Sequence, residues 1–113
     1  MERIELYKNI CELFGEEKTV DRIDFVELDG VKYSHKEIEE LDVEDEGKYQ
    51  TGGTIYAIGV LDEEKGYGIK ETLFYIEQDF TRSGSYFSDY YYEFESPYVV
   101  EQREIVKTVW RAV

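Results

Sequence analysis

The sequence predicts an α+β protein, with one amphipathic helix at the start packed on a meandering antiparallel sheet of about five or six strands. Three observations predict it. Apolar residues recur at three- and four-residue spacing only near the N-terminus. From residue 22 onward the apolar period shifts toward two, and turn signals such as Asp29-Gly30 separate the extended runs.

The helix is expected over residues 2–14, where Tyr7, Ile10, Cys11 and Phe14 form one stripe flanked by Ile4 and Leu13. Gly15 follows, where a left-handed cap residue is expected. Cys11 lies on the apolar stripe, which makes it a buried structural thiol. Residues 22–28 and 31–33 flank Asp29-Gly30, a hairpin signal because both central positions of a type I′ turn need positive φ. Ser34 and Glu37 have capping-box spacing, so a short helix to about Leu41 and an extended acidic loop are the two readings of that stretch. Residues 49–53 read as a loop entering a strand. Residues 54–61 are β-branched and apolar on both faces, as in a central strand. Residues 62–66 read as a hairpin loop. A strand at 69–80 follows, with Thr72, Phe74, Ile76 and Phe80 on one face and Glu71, Glu77 and Asp79 on the other. A turn is expected at 81–84, a strand at 85–95, a break at Pro97, and one or two final strands over 99–112. No repeat and no linker divides the chain, so residues 1–113 read as a single domain.

The 113 residues suffice for one core, and at this size about 60–70 % of the unfolded surface is buried without disulfides or metal. Hydrophobic residues at 42 % and aromatics at 16 % exclude a disordered acidic tail. Twenty-seven acids against thirteen bases give a net charge of −14, which argues against direct contact with nucleic acid, whose phosphates require Lys and Arg. A single cysteine allows no internal disulfide and fits a reducing cytosol. No apolar run reaches signal-peptide or membrane-spanning length, so a soluble, cytoplasmic protein is the expectation.

The residues offer little to catalysis. His35 is the one histidine, expected on the surface in a polar turn, with no nucleophile elbow or activated thiol near it in sequence. One Cys and one His cannot make a common zinc ligand set. Gly66-Tyr67-Gly68 has Glu71 where a dinucleotide fingerprint needs its third glycine, and Gly47-Lys48 lacks the rest of a P-loop. Asp42, Glu44, Glu46 and Gly47 open like a calcium loop, yet position twelve is Gly53 where a bidentate Glu is required. The chain reads as non-enzymatic, with neither cofactor nor metal.

What remains is the acidity. Glu37, Glu39, Glu40, Asp42, Glu44, Asp45 and Glu46 place seven carboxylates in ten residues without one base. Like charges so closely spaced repel, and a cationic partner relieves the cost. The bland reading is a solubilising face. In the strand expected at 85–95, alternation puts Tyr86, Tyr90, Tyr92 and Phe94 on a core face and Phe87, Asp89, Tyr91, Glu93 and Glu95 on an exposed one. That second face mixes carboxylates with aromatics, which suits a surface rich in arginine. Carboxylates at i and i+2 of a strand lie about 6.6–6.8 Å apart, close to two base steps, and the net charge equals that of about 24 Å of duplex.

Small size, strong acidity, abundant tyrosine and a dominant antiparallel sheet make the chain resemble the small phage-encoded inhibitors of bacterial defence, the DNA-mimic anti-restriction and anti-CRISPR type. The features that carry the resemblance are the acid run at 37–46 and the segment Arg82-Ser83-Gly84-Ser85-Tyr86-Phe87-Ser88-Asp89-Tyr90-Tyr91-Tyr92-Glu93. It is a likeness of overall character, so no functional residue is carried over. It implies a life in the host cytoplasm and a basic nucleic-acid-binding partner such as a CRISPR effector or restriction enzyme. The expected contacts are the seven carboxylates of the run, supported by Asp62, Glu63 and Glu64, with Asp89, Tyr91, Glu93 and Glu95 in a second tier. The alternative is a small-ligand module that sequesters a nucleotide signal in a pocket lined by Tyr56, Tyr75, Tyr90 and Tyr92, with Arg82 and Lys70 meeting the anion.

Overall fold

The computed structural model describes residues 2–16, 19–46, 49–83 and 91–101, with backbone alone at 42–46, 49 and 91. Helix α1 spans Arg3–Phe14. Strands β1 (Val26–Leu28), β2 (Val31–Glu46), β3 (Tyr49–Val60), β4 (Phe74–Ser83), β5 (Tyr91–Phe94) and β6 (Tyr98–Val100) form one antiparallel sheet. Its order is β1-β2-β3-β4-β5, with β6 also pairing β4, and it curls into a half-barrel. The fold is thus mostly β with one helix, close to the expectation.

The helix forms where the apolar stripe lies, and the stripe is what it buries. Ile10, Cys11 and Phe14 pack with Val20, Val26, Tyr33, Tyr56, Ile58, Phe74 and Ile76. The ring of Tyr7 stacks on Phe74 at 4.3 Å between centroids. The face of the sheet that receives α1 is called inner below. Its opposite is called outer.

The Asp29-Gly30 hairpin is as read, with φ of 51° and 79°, and it joins β1 to β2. Gly15 is not a left-handed cap. Its φ is −82°, and a Cβ there would come within 3.2 Å of Pro97 Cδ, so glycine serves close packing. The largest correction concerns 34–46, which is neither short helix nor acidic loop but the body of β2. Ile38 and Leu41 are too few apolar anchors for a helix, and the apolar strand β3 needs a partner on this side, so sheet pairing overrides local preference. Ser34 accordingly caps nothing; its Oγ donates to the Asp24 carbonyl at 2.8 Å. Residues 49–53 extend β3 rather than looping, and 81–83 extend β4 rather than turning, because the two segments pair with each other.

β4 begins at Phe74, later than the expected strand start. Residues 69–73 are held by the Leu61–Ile69 bridge and by the Lys70 and Leu73 amides, which donate to the Val60 and Ile58 carbonyls. The Glu71 carbonyl there crosses Gly59 so closely that any Cβ at Gly59 would run into it. Pro97 separates β5 from β6 as expected, and both pair with β4. The first expected strand, at 22–28, contributes only Val26–Leu28, after a single 3-10 turn over Val20–Arg22. Of the expected elements at 85–95 and 99–112, residues 84–90 and 102–113 lie outside the described residues.

Candidate functional site

The charge carriers sit on a strand edge. β1 pairs only with Val31, Lys32 and Tyr33, so among the described residues no strand covers that side of β2 beyond Tyr33. A bare edge is a template for unwanted pairing, and charged side chains discourage it. Pairing with β3 sets the faces. Glu37 stands opposite Tyr56 and Glu40 opposite Thr54, on the inner face; a bulge at Ile38 turns Glu39, opposite Ile55, to the outer one. All three are exposed. Asp42, Glu44, Asp45 and Glu46 continue along the same strand, with their backbones alone described. The described carboxylates of the run, Glu37, Glu39 and Glu40, therefore lie on both sides of the sheet and not as a ridge on one face.

The remaining expected contacts separate. Asp62 sits at the other end of β3, where its Oδ1 accepts from the Glu64 and Lys65 amides at 3.2 and 3.4 Å, shaping the turn. Glu63 and Glu64 are exposed there. Asp62, Glu63 and Glu64 thus do not reinforce the run. In β5, Glu93 pairs with Thr81 on the outer side, as alternation requires, and the backbone of Tyr91 pairs with Ser83. Glu95 is exposed and its amide donates to the Asp79 carbonyl at 2.9 Å. Asp89 lies outside the described residues.

The outer face also holds a group that the acid run drew attention away from. Tyr98 OH donates to Glu77 Oε2, and its oxygen lies 3.1 Å from Asp79 Oδ2. The hydrogen bond to Asp79 and then burial push the Glu77 carboxyl up from its usual range, against the Tyr98 hydroxyl, which lowers it. Tyr98 itself is pushed up, by burial first and then by both carboxylates. Asp79 lies across from Gly53, whose missing side chain leaves room for the carboxylate. With Glu39 and Glu93 this makes a patch of carboxylates and one tyrosine drawn from β2, β4, β5 and β6. The period-two reading of 69–80 already put Glu77 and Asp79 on one face; the arrival of Tyr98 depends on β6 folding back beside β4, which no local pattern announces.

The inner face beyond the helix carries a second unforeseen feature. Phe80, Tyr92 and Phe94 make three mutual ring contacts at 5.7, 6.1 and 5.8 Å, with Tyr92 and Phe94 stacked at 11°. Tyr92 and Phe94 were expected in the core, yet they are 48 % and 38 % exposed.

His35 corrects another expectation. It is a half-buried residue of β2, with Nε2–H donating to the Ile23 carbonyl at 2.8 Å and its ring edge-on to Phe14 and Tyr56. The tyrosine-lined pocket is not assembled either. Tyr56 is buried beneath the helix, and burial, with Asp21 beside it, pushes its hydroxyl well up. Tyr75, opposite Ala57, belongs to the other face, while Tyr92 lies at the far end of the sheet and Tyr90 is outside the described residues. Lys70 and Arg82 sit at opposite ends of β3, bonded to Val60 and Gln50 respectively. Among the described residues no three His, Cys, Asp or Glu side chains are placed to hold a metal ion.

A family model described as Phage T4 Y04K protein matches residues 1–113. The chain belongs to this phage protein family. Comparison with curated proteins and with solved structures returns no match. The family agrees with the phage-encoded part of the resemblance drawn from charge and composition, and with that part alone. No helix among the described residues is long and apolar enough to cross a membrane.

Proposed function

We propose that this phage protein is a non-enzymatic acidic inhibitor that occupies the basic nucleic-acid-binding surface of a host protein, such as a CRISPR effector or a restriction enzyme, in the host cytoplasm. The observation that supports it is that the acid run lies within β2, a 16-residue strand whose far side no described strand covers beyond Tyr33. Pairing with β3 fixes the backbone of this edge and presents Glu37 and Glu40 on one side of it and Glu39 on the other, an arrangement a flexible loop does not maintain. Pre-organised carboxylates compete for Lys and Arg sites that otherwise take phosphates, without any chemistry of their own. The Glu77–Asp79–Tyr98 patch extends the acidic surface across the outer face.

The test is a capture from host lysate at low salt, followed by elution with salt or with added duplex DNA. The expected result is a basic DNA- or RNA-binding protein released by either agent. Replacing Glu37, Glu39, Glu40 and Glu44 by Lys is expected to abolish capture while the circular-dichroism spectrum stays unchanged. Undiminished capture by that folded variant overturns the assignment of the run, and release by salt but never by duplex DNA overturns mimicry.

A further inference from the structure

We propose that a depression on the outer face, floored by Gly53 and rimmed by Asp79 and Glu95, seats a lysine or arginine side chain of the partner. The inference rests on the acidic-inhibitor reading and adds to it one defined contact.

Strand register builds the depression. Gly53 pairs with Leu41 on one side and with Asp79 on the other, and Thr51 pairs with Thr81 one pleat along. With Glu95 these residues bound a space of about 350 Å³. The space exists because Gly53 has no side chain: a Cβ there would stand 2.6 Å from Asp79 Oδ1 and 3.3 Å from Leu41 Cδ1. Gly53 is not in the left-handed region, so this glycine makes room and does not serve a turn. The Asp79 carboxylate is held in place from behind. Tyr98 OH lies 3.1 Å from its Oδ2, which leaves Oδ1 over Gly53. Glu95 is placed beside it by its own amide, bonded to the Asp79 carbonyl at 2.9 Å.

Charge and lining together name the guest. Beyond Asp79 and Glu95, the same face carries Glu77, Glu39 opposite Ile55 and Glu93 opposite Thr81. Arg82 belongs to the inner face, where its Nε donates to Gln50 Oε1. Among the described residues the nearest cation on the outer face is Lys36, opposite Ala57. That is four residues along β3 from Gly53, about 14 Å away. The local field therefore repels an anion and attracts a cation. Leu41 offers an apolar wall to an aliphatic stem, while Asp79, Glu95 and the hydroxyls of Thr51 and Thr81 are acceptors for a charged head. Lysine and arginine are the side chains that combine such a stem with such a head.

The experiment is an amide NMR titration of the intact protein with N-acetyl-argininamide, N-acetyl-lysinamide and the neutral N-acetyl-citrullinamide. Both cations are expected to shift the amides of Thr51, Gly53, Asp79, Thr81 and Glu95, and citrullinamide is not. Gly53→Ala keeps every charge and meets only the flexible ends of Asp79 and Leu41 at close range, so it fills the depression without disturbing the sheet. It is expected to weaken both cations about tenfold, the scale of one charge-assisted hydrogen bond. Glu95→Gln, at an exposed position, is a second variant expected to weaken both about fivefold. Glu12→Gln removes the same charge from the exposed side of the helix and is expected to change either affinity less than about twofold. Undiminished binding by folded Gly53→Ala, or equal shifts with citrullinamide, overturns the seat. Shifts confined to the amides of Glu37, Glu39 and Glu40 overturn the seat and leave the acidic reading standing, which fails separately if lysate capture yields no basic protein. Calcium that shifts the same five amides and is displaced by neither cation overturns the side-chain guest in favour of a metal ion.

Discussion

The two ends of the inner face use the same alternation and reach opposite outcomes. At one end Phe74 and Ile76 of β4 are buried with Ile58 and Tyr56 of β3 under the helix. Four residues further along β4, on the same side, Phe80 joins Tyr92 and Phe94 in a cluster open to solvent. Length explains the difference. Twelve helical residues extend about 18 Å, whereas the ten residues of β4 extend about 33 Å and the sixteen of β2 about 50 Å. The helix cannot roof the strands it packs on. An apolar face in a strand is therefore core only as far as something covers it, and the remainder becomes surface available to a partner.

That contrast can be broken most forcefully at the covered end. Phe14 is fully buried at the end of α1. Phe14→Ala is expected to cost about 3–5 kcal/mol, the usual range for emptying an aromatic site in a core. Phe94→Ala removes the same ring chemistry from the open end and is expected to cost less than about 1 kcal/mol. Urea unfolding of the two variants beside the parent measures both. Equal losses would mean that the aromatic cluster is a second core and not an exposed platform.

Gln78 marks the boundary between the two ends. It is buried, its Oε1 accepts from the Val20 amide at 3.0 Å, and its Nε2 donates to the Glu95 carbonyl at 3.0 Å. One side chain thus ties the turn after the helix to the link between β5 and β6. Gln78→Leu keeps the bulk and leaves a buried amide unsatisfied, with an expected loss of about 1–3 kcal/mol. Amide hydrogen exchange sharpens the comparison: protection should fall at Val20 and Glu95 while that of Ile58 follows only the global loss.

Helix α1, the Asp29-Gly30 hairpin, the central strand β3 and the break at Pro97 were legible because each is announced by neighbours in sequence. Helical spacing, a positive-φ dipeptide, a β-branched run and a missing amide are local signals. The acid run was legible as charge but not as structure. Its strand conformation is imposed by β3, and the bulge at Ile38, invisible in the alternation of the run, moves Glu39 to the other face. The aromatic pattern at 92 and 94 gave the correct face with the wrong burial, since the reach of the helix is a property of the whole fold. His35 was misplaced for the same reason. Its neighbours in sequence are polar, but its neighbours in space are Phe14, Tyr56 and the Ile23 carbonyl. Of the expected contact set, Glu37, Glu39, Glu40 and Glu93 are exposed, while Asp62 is engaged by its own turn.

The subtlest effect lies on the outer face, where Glu77, Asp79 and Tyr98 meet. The Glu77 carboxyl is raised by its hydrogen bond to Asp79 and by burial, so folding favours its protonated form. A raised carboxyl contributes stability that is fully present below its unfolded range, near pH 4.3, and that is lost as pH rises through the raised folded value. Ionised Glu77 then lies against Asp79 without the proton that favours their contact. Glu77→Gln keeps an acceptor for Tyr98 and removes the charge. Its melting temperature should exceed that of the parent at pH 7, with the gap closing as pH falls below the ordinary carboxylate range. A gap that is constant with pH would show that the two carboxylates do not share a proton.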